Sequence, residues 1–361
     1  PPEDVQDLAS FRRAGGLQQH SQRDHEGDDA VHRPARSILD VMSTGHSEHS
    51  TRVTHATSGG GDSPPKRVTL RTLRRMAERG EPFACLACYD FTTARWLDRA
   101  GVDLLLVGDS AANVVLGHDS THGMPMDLAV LLTAAVRRGA ARAHVMADMP
   151  FMSYQADDAE ALRNAGRLLS QGRADSVKVE VDASFAPLVG KMTRAGIPVC
   201  AHIGSKPQQW ALAGGPKVAG RIRDEADEII DDAVALEAAG AVMLLIEAVP
   251  PEVAERVVRA VSIPVIGIGA GTAPHGQILV VNDLVGLSDF TPRFVEPVAS
   301  LGAALQRAGE AWVERVRERR IGGGVYTPLD ADVAGTPEDG VTRAENEKRL
   351  ETESVRSGDP E

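Results

Sequence analysis

Leu104-Leu105-Leu106-Val107-Gly108-Asp109 is an unbroken aliphatic run that ends on an acid. Such runs, apolar in consecutive positions, mark parallel strands buried on both faces. The same construction recurs along the chain. Val145-Met146-Ala147 closes on Asp148, Val177-Lys178-Val179 on Glu180, Pro198-Val199-Cys200-Ala201 on His202, and Val242-Met243-Leu244-Leu245-Ile246 on Glu247. Polar residues repeated at the carboxyl ends of successive strands are the arrangement of a (β/α)8 barrel, an α/β fold whose βα loops meet at one mouth. A doubly wound open sheet is the competitor, but its functional residues gather at a single switch point.

Working outward, strands are expected near Phe83, Asp103, His144, Asp175, Pro198, Ala241 and Pro264, with an eighth, indistinct one around 280–287. Helical periodicity lies between them, as at 156–171, 184–195, 224–239 and 251–261, and Ala100-Gly101, Ala195-Gly196 and Ala239-Gly240 read as helix ends. Two connections, 111–127 and 204–223, are long enough to be lids or binding loops. The alternation predicts a catalytic barrel over residues 66–328. Residues 1–65 lack a sustained apolar period and hold six of the eleven histidines at irregular spacing; they read as a disordered leader, with Met42 a candidate translation start. Residues 329–361 read as an acidic, disordered tail.

The hydrophobic fraction of 42% provides for a real core, and a formal net charge of −12 argues against a nucleic-acid partner, which needs a basic stripe. Three cysteines are too few for a disulfide scaffold, no stretch approaches a membrane span, and the amino terminus has no signal-peptide apolar segment. The expected setting is a reducing cytoplasm, with no membrane partner.

Asp109, Asp148 and Glu180 on neighbouring strand ends suit a hard divalent cation such as magnesium, which favours oxygen ligands. Each acid alone reads more readily as a helix cap or a surface charge than as a ligand. Together they argue for a cation, because three buried like charges are costly without one. Lys178 and Glu180 share a strand face, so the lysine would pair with carboxylates or with a substrate acid; an ordinary buried ion pair is the plain alternative. His202 could equally be a satisfied core histidine. Glu247 follows a five-residue apolar run, and a carboxylate desolvated there would have a raised pKa, which suits a general base.

Two motifs are discounted. Cys85-x-x-Cys88 places its thiols on opposite faces of a strand and has no second pair, so structural thiols are expected. Gly267-Ile268-Gly269-Ala270-Gly271 fails the G-x-G-x-x-G spacing and reads as close backbone packing at a barrel mouth.

Taken together, Val107-Gly108-Asp109-Ser110, Ala147-Asp148-Met149-Pro150-Phe151, Val177-Lys178-Val179-Glu180, Ala201-His202-Ile203-Gly204, Ile246-Glu247-Ala248-Val249-Pro250 and the 264–271 segment resemble, in order, the motifs of the ketopantoate hydroxymethyltransferase family. The resemblance spans about Arg67 to Tyr326. It implies a barrel of the phosphoenolpyruvate/pyruvate-binding type, Mg2+, and 5,10-methylenetetrahydrofolate as co-substrate. The implied reaction is hydroxymethyl transfer to 3-methyl-2-oxobutanoate, giving 2-dehydropantoate on the way to pantothenate, through an enolate that the metal stabilises. By matching motifs, Asp109, Asp148 and Glu180 are implied as the metal site. Asp109, Ser110, Asp148, Lys178 and His202 are implied as substrate-binding, and Glu247 as the catalytic proton acceptor. A homo-oligomer, decameric in the family, is also implied.

The chain departs from the family pattern at Val181-Asp182, where Gly-Gly is usual, at Lys206-Pro207-Gln208-Gln209, where T-P-Q-S is usual, and at His275, where an aspartate is usual. These changes leave two alternatives open: a paralogue acting on another 2-oxo acid, and a magnesium-dependent C–C lyase of the same barrel group. A non-catalytic, ligand-binding paralogue has only the altered loops in its favour.

Overall fold

The computed structural model describes residues 66–323 and residue 326; the expected leader, Met42 and the whole of the expected tail lie outside the described residues. Eight strands close into a barrel in chain order: β1 (Phe83–Ala87), β2 (Leu104–Val107), β3 (His144–Asp148), β4 (Ser176–Glu180), β5 (Val199–Gly204), β6 (Met243–Glu247), β7 (Val265–Ile268) and β8 (Gly276–Val280). Every neighbouring pair is parallel, β8 with β1 included. The open-sheet alternative is therefore excluded, because a closed ring has no switch point.

The helices follow their local signals. Thr69 caps α1 (Leu70–Glu78), and the Asp90 side chain accepts the Thr92 and Thr93 N–H groups at the start of α2 (Phe91–Ala100). Between β2 and β3 lie a single turn, α3 (Ala111–Val114), and the longer α4 (Met126–Gly139). Asp157 caps α5 (Asp158–Ser170); α6 (Ala186–Arg194) follows β4 and a 3-10 turn. The long β5–β6 connection holds a short turn, α7 (Trp210–Ala213), before α8 (Arg223–Ala238). Pro251 opens α9 (Pro251–Ala260), with its missing N–H at a position that needs none.

The eighth strand differs from expectation. It runs Gly276–Val280, and the residues that follow it form a helical turn, α10 (Val281–Leu284). Gly276 and Gln277 dilute the apolar run, so the hydrophobic signal emerges only at Ile278, late in the strand. The last helix, α11 (Leu301–Arg317), has no buried residue among those described.

β2, β3 and β4 are buried at every position, as double-sided burial requires. Cys85 packs within the larger core cluster and Cys88 in a separate one together with Leu105, Val107 and Val145, which confirms that the two thiols face opposite ways. All three cysteines are unpaired and buried. The glycine-rich turn after β7 is a packing device. Gly269 has φ +58°, and a Cβ there would stand 2.8 Å from the Phe294 ring.

Candidate active site

Strand register brings the acids together. Asp148 pairs across the ladder with Lys178, Glu180 with His202, and Gly204 with Glu247. The last pairing depends on glycine: at φ +87°, a Cβ on Gly204 would lie 2.6 Å from the Glu247 carbonyl oxygen. Asp109 follows β2 directly, and its N–H donates to Asp148 Oδ2 at 3.3 Å. Asp109, Asp148, Lys178, Glu180 and His202 are all buried.

Lys178 Nζ donates to Asp148 Oδ2 at 2.5 Å and lies 3.9 Å from Glu180 Oε1. Burial alone would push the ammonium towards neutrality, yet the charges of Asp148, Asp109 and Glu180 outweigh it and raise its pKa. His202 stands between two glutamates, with Nδ1 3.5 Å from Glu180 Oε1 and Nε2 3.4 Å from Glu247 Oε2. These separations give charge attraction without an aligned hydrogen bond. Burial and Lys178 disfavour the imidazolium, the two glutamates favour it, and the pKa rises.

The two outer acids diverge. Burial and the neighbouring Asp148 charge hold Asp109 well above the carboxylate range, only partly offset by Lys178 and by hydrogen bonding from Gln208. Burial also works against Glu180, but His202, Lys178 and the Gln208 N–H prevail and lower its pKa. Glu247 is the most open of the group, its side chain 17% exposed, so it is reachable from the mouth. Ser110 Oγ shares a hydrogen bond of 2.8 Å with the Tyr89 hydroxyl.

The donor set fits a hard cation. Asp148 Oδ1 and Glu180 Oε1 are buried and have no hydrogen-bond partner. Among the described residues no group of three His, Cys, Asp or Glu side chains is arranged to hold a metal ion, so an ion bound by these oxygens would need water or substrate oxygens in its shell. A surface cavity of about 550 Å3 lies elsewhere, among Arg67, Arg137, Arg138, Arg173 and Asp175 near the start of β4, and touches none of these acids.

All the residues singled out from sequence thus stand at one end of the barrel. Three others were not foreseen: Gln208, Tyr154 and Tyr89. Tyr154 OH accepts the Glu180 N–H at 3.0 Å, and Gln208 Nε2 donates to Asp109 Oδ2 at 2.9 Å. In the sequence Gln208 stands out only as part of the altered 206–209 segment in the long connection after β5, with nothing there to aim its side chain at the acids.

The model of the family described as ketopantoate hydroxymethyltransferase matches residues 67–322. A 3-methyl-2-oxobutanoate hydroxymethyltransferase from an Anaeromyxobacter species is 45% identical over 262 residues, covering 71% of this chain and 86% of the relative. One from Hyperthermus butylicus is 43% identical over 297 residues, covering 81% of this chain and 99% of the relative. Among solved structures, the phosphoenolpyruvate phosphomutase of Streptomyces platensis superposes with a TM-score of 0.50 at 14% identity, covering 80% of this chain and 99% of that one, a likeness of fold alone. Among the described residues no helix is long and apolar enough to cross a membrane. Matched over residues 67–322 by that family model and 43–45% identical to these relatives, the chain belongs to the ketopantoate hydroxymethyltransferase family of enzymes.

Proposed function

We propose that this enzyme transfers a hydroxymethyl group from 5,10-methylenetetrahydrofolate to 3-methyl-2-oxobutanoate, giving 2-dehydropantoate, a precursor of pantothenate. The observation that carries this reading is the pair of partnerless buried oxygens, Asp148 Oδ1 and Glu180 Oε1, beside Asp109 and Lys178 and across His202 from the open carboxylate of Glu247.

Asp109 and Asp148, backed by Glu180, would hold magnesium. When bound, the ion supplies Lewis-acid stabilisation of the negative charge that develops on a 2-oxo acid. Lys178 offers a fixed positive charge, and Ser110 a hydroxyl held by Tyr89, to the substrate carboxylate. His202, between the two glutamates, would lie beside the substrate. Glu247 takes the proton from the carbon next to the keto group. That carbon forms a bond to the folate-borne methylene as one of its two C–N bonds breaks, the nitrogen keeping the electron pair and taking a proton; water oxygen then replaces the second C–N bond, releasing tetrahydrofolate and leaving the hydroxymethyl group on the product.

A homo-oligomer also belongs to this reading. On α11, Leu301, Leu305, Trp312 and Val316 recur at helical spacing on one face and are 46%, 64%, 51% and 45% exposed, an apolar seam suited to a second copy of the chain. The three unpaired thiols support a reducing, cytoplasmic setting.

The direct assay is consumption of methylene-folate by purified protein, with magnesium and the 2-oxo acid each omitted in turn. The reading requires loss of turnover in both omissions; consumption that ignores the 2-oxo acid contradicts it. A panel of 2-oxo acids decides between this substrate and the paralogue alternative.

A further inference from the structure

Gln208 lies in the 3-10 turn Pro207–Gln209 after β5 and is 3% exposed. Its side-chain amide is fully engaged. Nε2 donates to Asp109 Oδ2 at 2.9 Å and to the Met149 carbonyl at 3.0 Å. A carbonyl can only accept, so this end of the amide must be the NH2 end. Oε1 faces the Tyr154 hydroxyl and Gln155 Nε2, each at 2.9 Å, which suits an acceptor. The backbone is engaged too. The Gln208 N–H donates to Glu180 Oε2 at 2.9 Å, and its carbonyl lies 2.8 Å from His122 Nε2, a ring stacked on Phe151 at 4.1 Å. One residue from the β5 loop therefore ties the acid at the end of β2 to the acid at the end of β4.

The nature of these bonds matters. Asp109 and Glu180 each give one oxygen to a neutral N–H, which orients the carboxylate and adds no charge. A lysine or arginine reaching the same oxygens would compete electrostatically with a bound cation, whereas an apolar side chain would leave Asp109 free to turn while the backbone N–H still held Glu180. Glu180 Oε1, the oxygen left over, has no partner. We propose that Gln208 is a positioning residue, fixing one oxygen of Asp109 and one of Glu180 so that their other oxygens serve a divalent cation. The inference rests on the magnesium reading above and names the part of this chain that preorganises the site. Outer groups that orient ligating carboxylates typically change metal affinity on the order of 10–100-fold when lost.

The test is Gln208→Met, similar in length but unable to make the amide bonds, measured against wild type by titration calorimetry with Mg2+ and by the electron paramagnetic resonance of Mn2+, without keto acid or folate. Circular dichroism and the thermal midpoint report folding. The expected result is a folded protein whose Mg2+ affinity falls on the order of 10-fold or more. Turnover should recover as magnesium is raised, with the keto-acid KM at saturating metal unchanged. Gln155→Leu, which removes one support of the amide without touching either acid, should lose less affinity in the same direction. It serves as the probe if Gln208→Met does not fold. Wild-type metal affinity in the folded variant overturns the inference and leaves the proposed function standing. Absence of Mg2+ and Mn2+ binding in wild type overturns the metal reading itself, and this inference with it.

Discussion

Lys178 Nζ lies 2.5 Å from Asp148 Oδ2, its register partner on the neighbouring strand, with the two side chains only 5% and 2% exposed. An ion pair this deep makes a modest net contribution, but removing one partner leaves the other charged and dry. Lys178→Met also takes a compensating positive charge away from Asp109 and Glu180. The expected loss is about 3–5 kcal/mol of unfolding free energy in metal-free buffer, followed by urea denaturation. Magnesium should return part of it, since the ion would supply the missing positive charge. An unchanged urea midpoint would show that the acids are neutral in the folded protein.

His144 gives a pH dependence separate from the catalytic end. Its Nε2 bonds Ser176 Oγ at 2.8 Å, and burial pushes its pKa from the ordinary 6.5 down to about 4. Between those values the unfolded chain binds a proton that the folded one refuses, so stability rises with pH across that window. The contribution is complete above pH 6.5, declines as pH falls, and is gone below about 4, a span on the order of 3 kcal/mol. Urea denaturation from pH 7 to pH 4 should show a steeper decline for wild type than for His144→Leu. Parallel curves would remove this histidine as the cause.

In the proposed homo-oligomer, the exposed apolar face of α11 would form the contact. Placing a charge in it, as in Leu305→Glu with Trp312→Glu, should lower the mass measured by light scattering while leaving the barrel's circular dichroism intact, because neither side chain is buried within the protomer. A wild-type protein that already runs as a monomer, or a double variant of unaltered mass, contradicts this use of the helix.

The barrel was legible in the sequence because a parallel strand buried on both faces has to be written as a continuous apolar run, and the acids stood out as the first polar residues to break those runs. β8 was misplaced for the same reason: Gly276 and Gln277 carry no apolar signal, although the backbone there pairs with both β7 and β1. Lys178 and Glu180 could be put on one face from spacing alone. Gln208 could not be linked to Asp109, 99 positions away, because side chains on loops obey no period and reach the site only through tertiary closure. Tyr89 and Tyr154 escaped notice similarly; each serves a site residue through a hydroxyl that spacing cannot aim.

The most direct measurement of the central claim is proton exchange at the carbon next to the keto group, followed by proton NMR with 3-methyl-2-oxobutanoate, magnesium and enzyme in deuterated water without folate. The account predicts enzyme-dependent loss of that signal in wild type. It predicts a slowing on the order of 10²–10⁴-fold in Glu247→Gln, with substrate still bound. Wild-type exchange rates in Glu247→Gln, or exchange indifferent to magnesium, would contradict it.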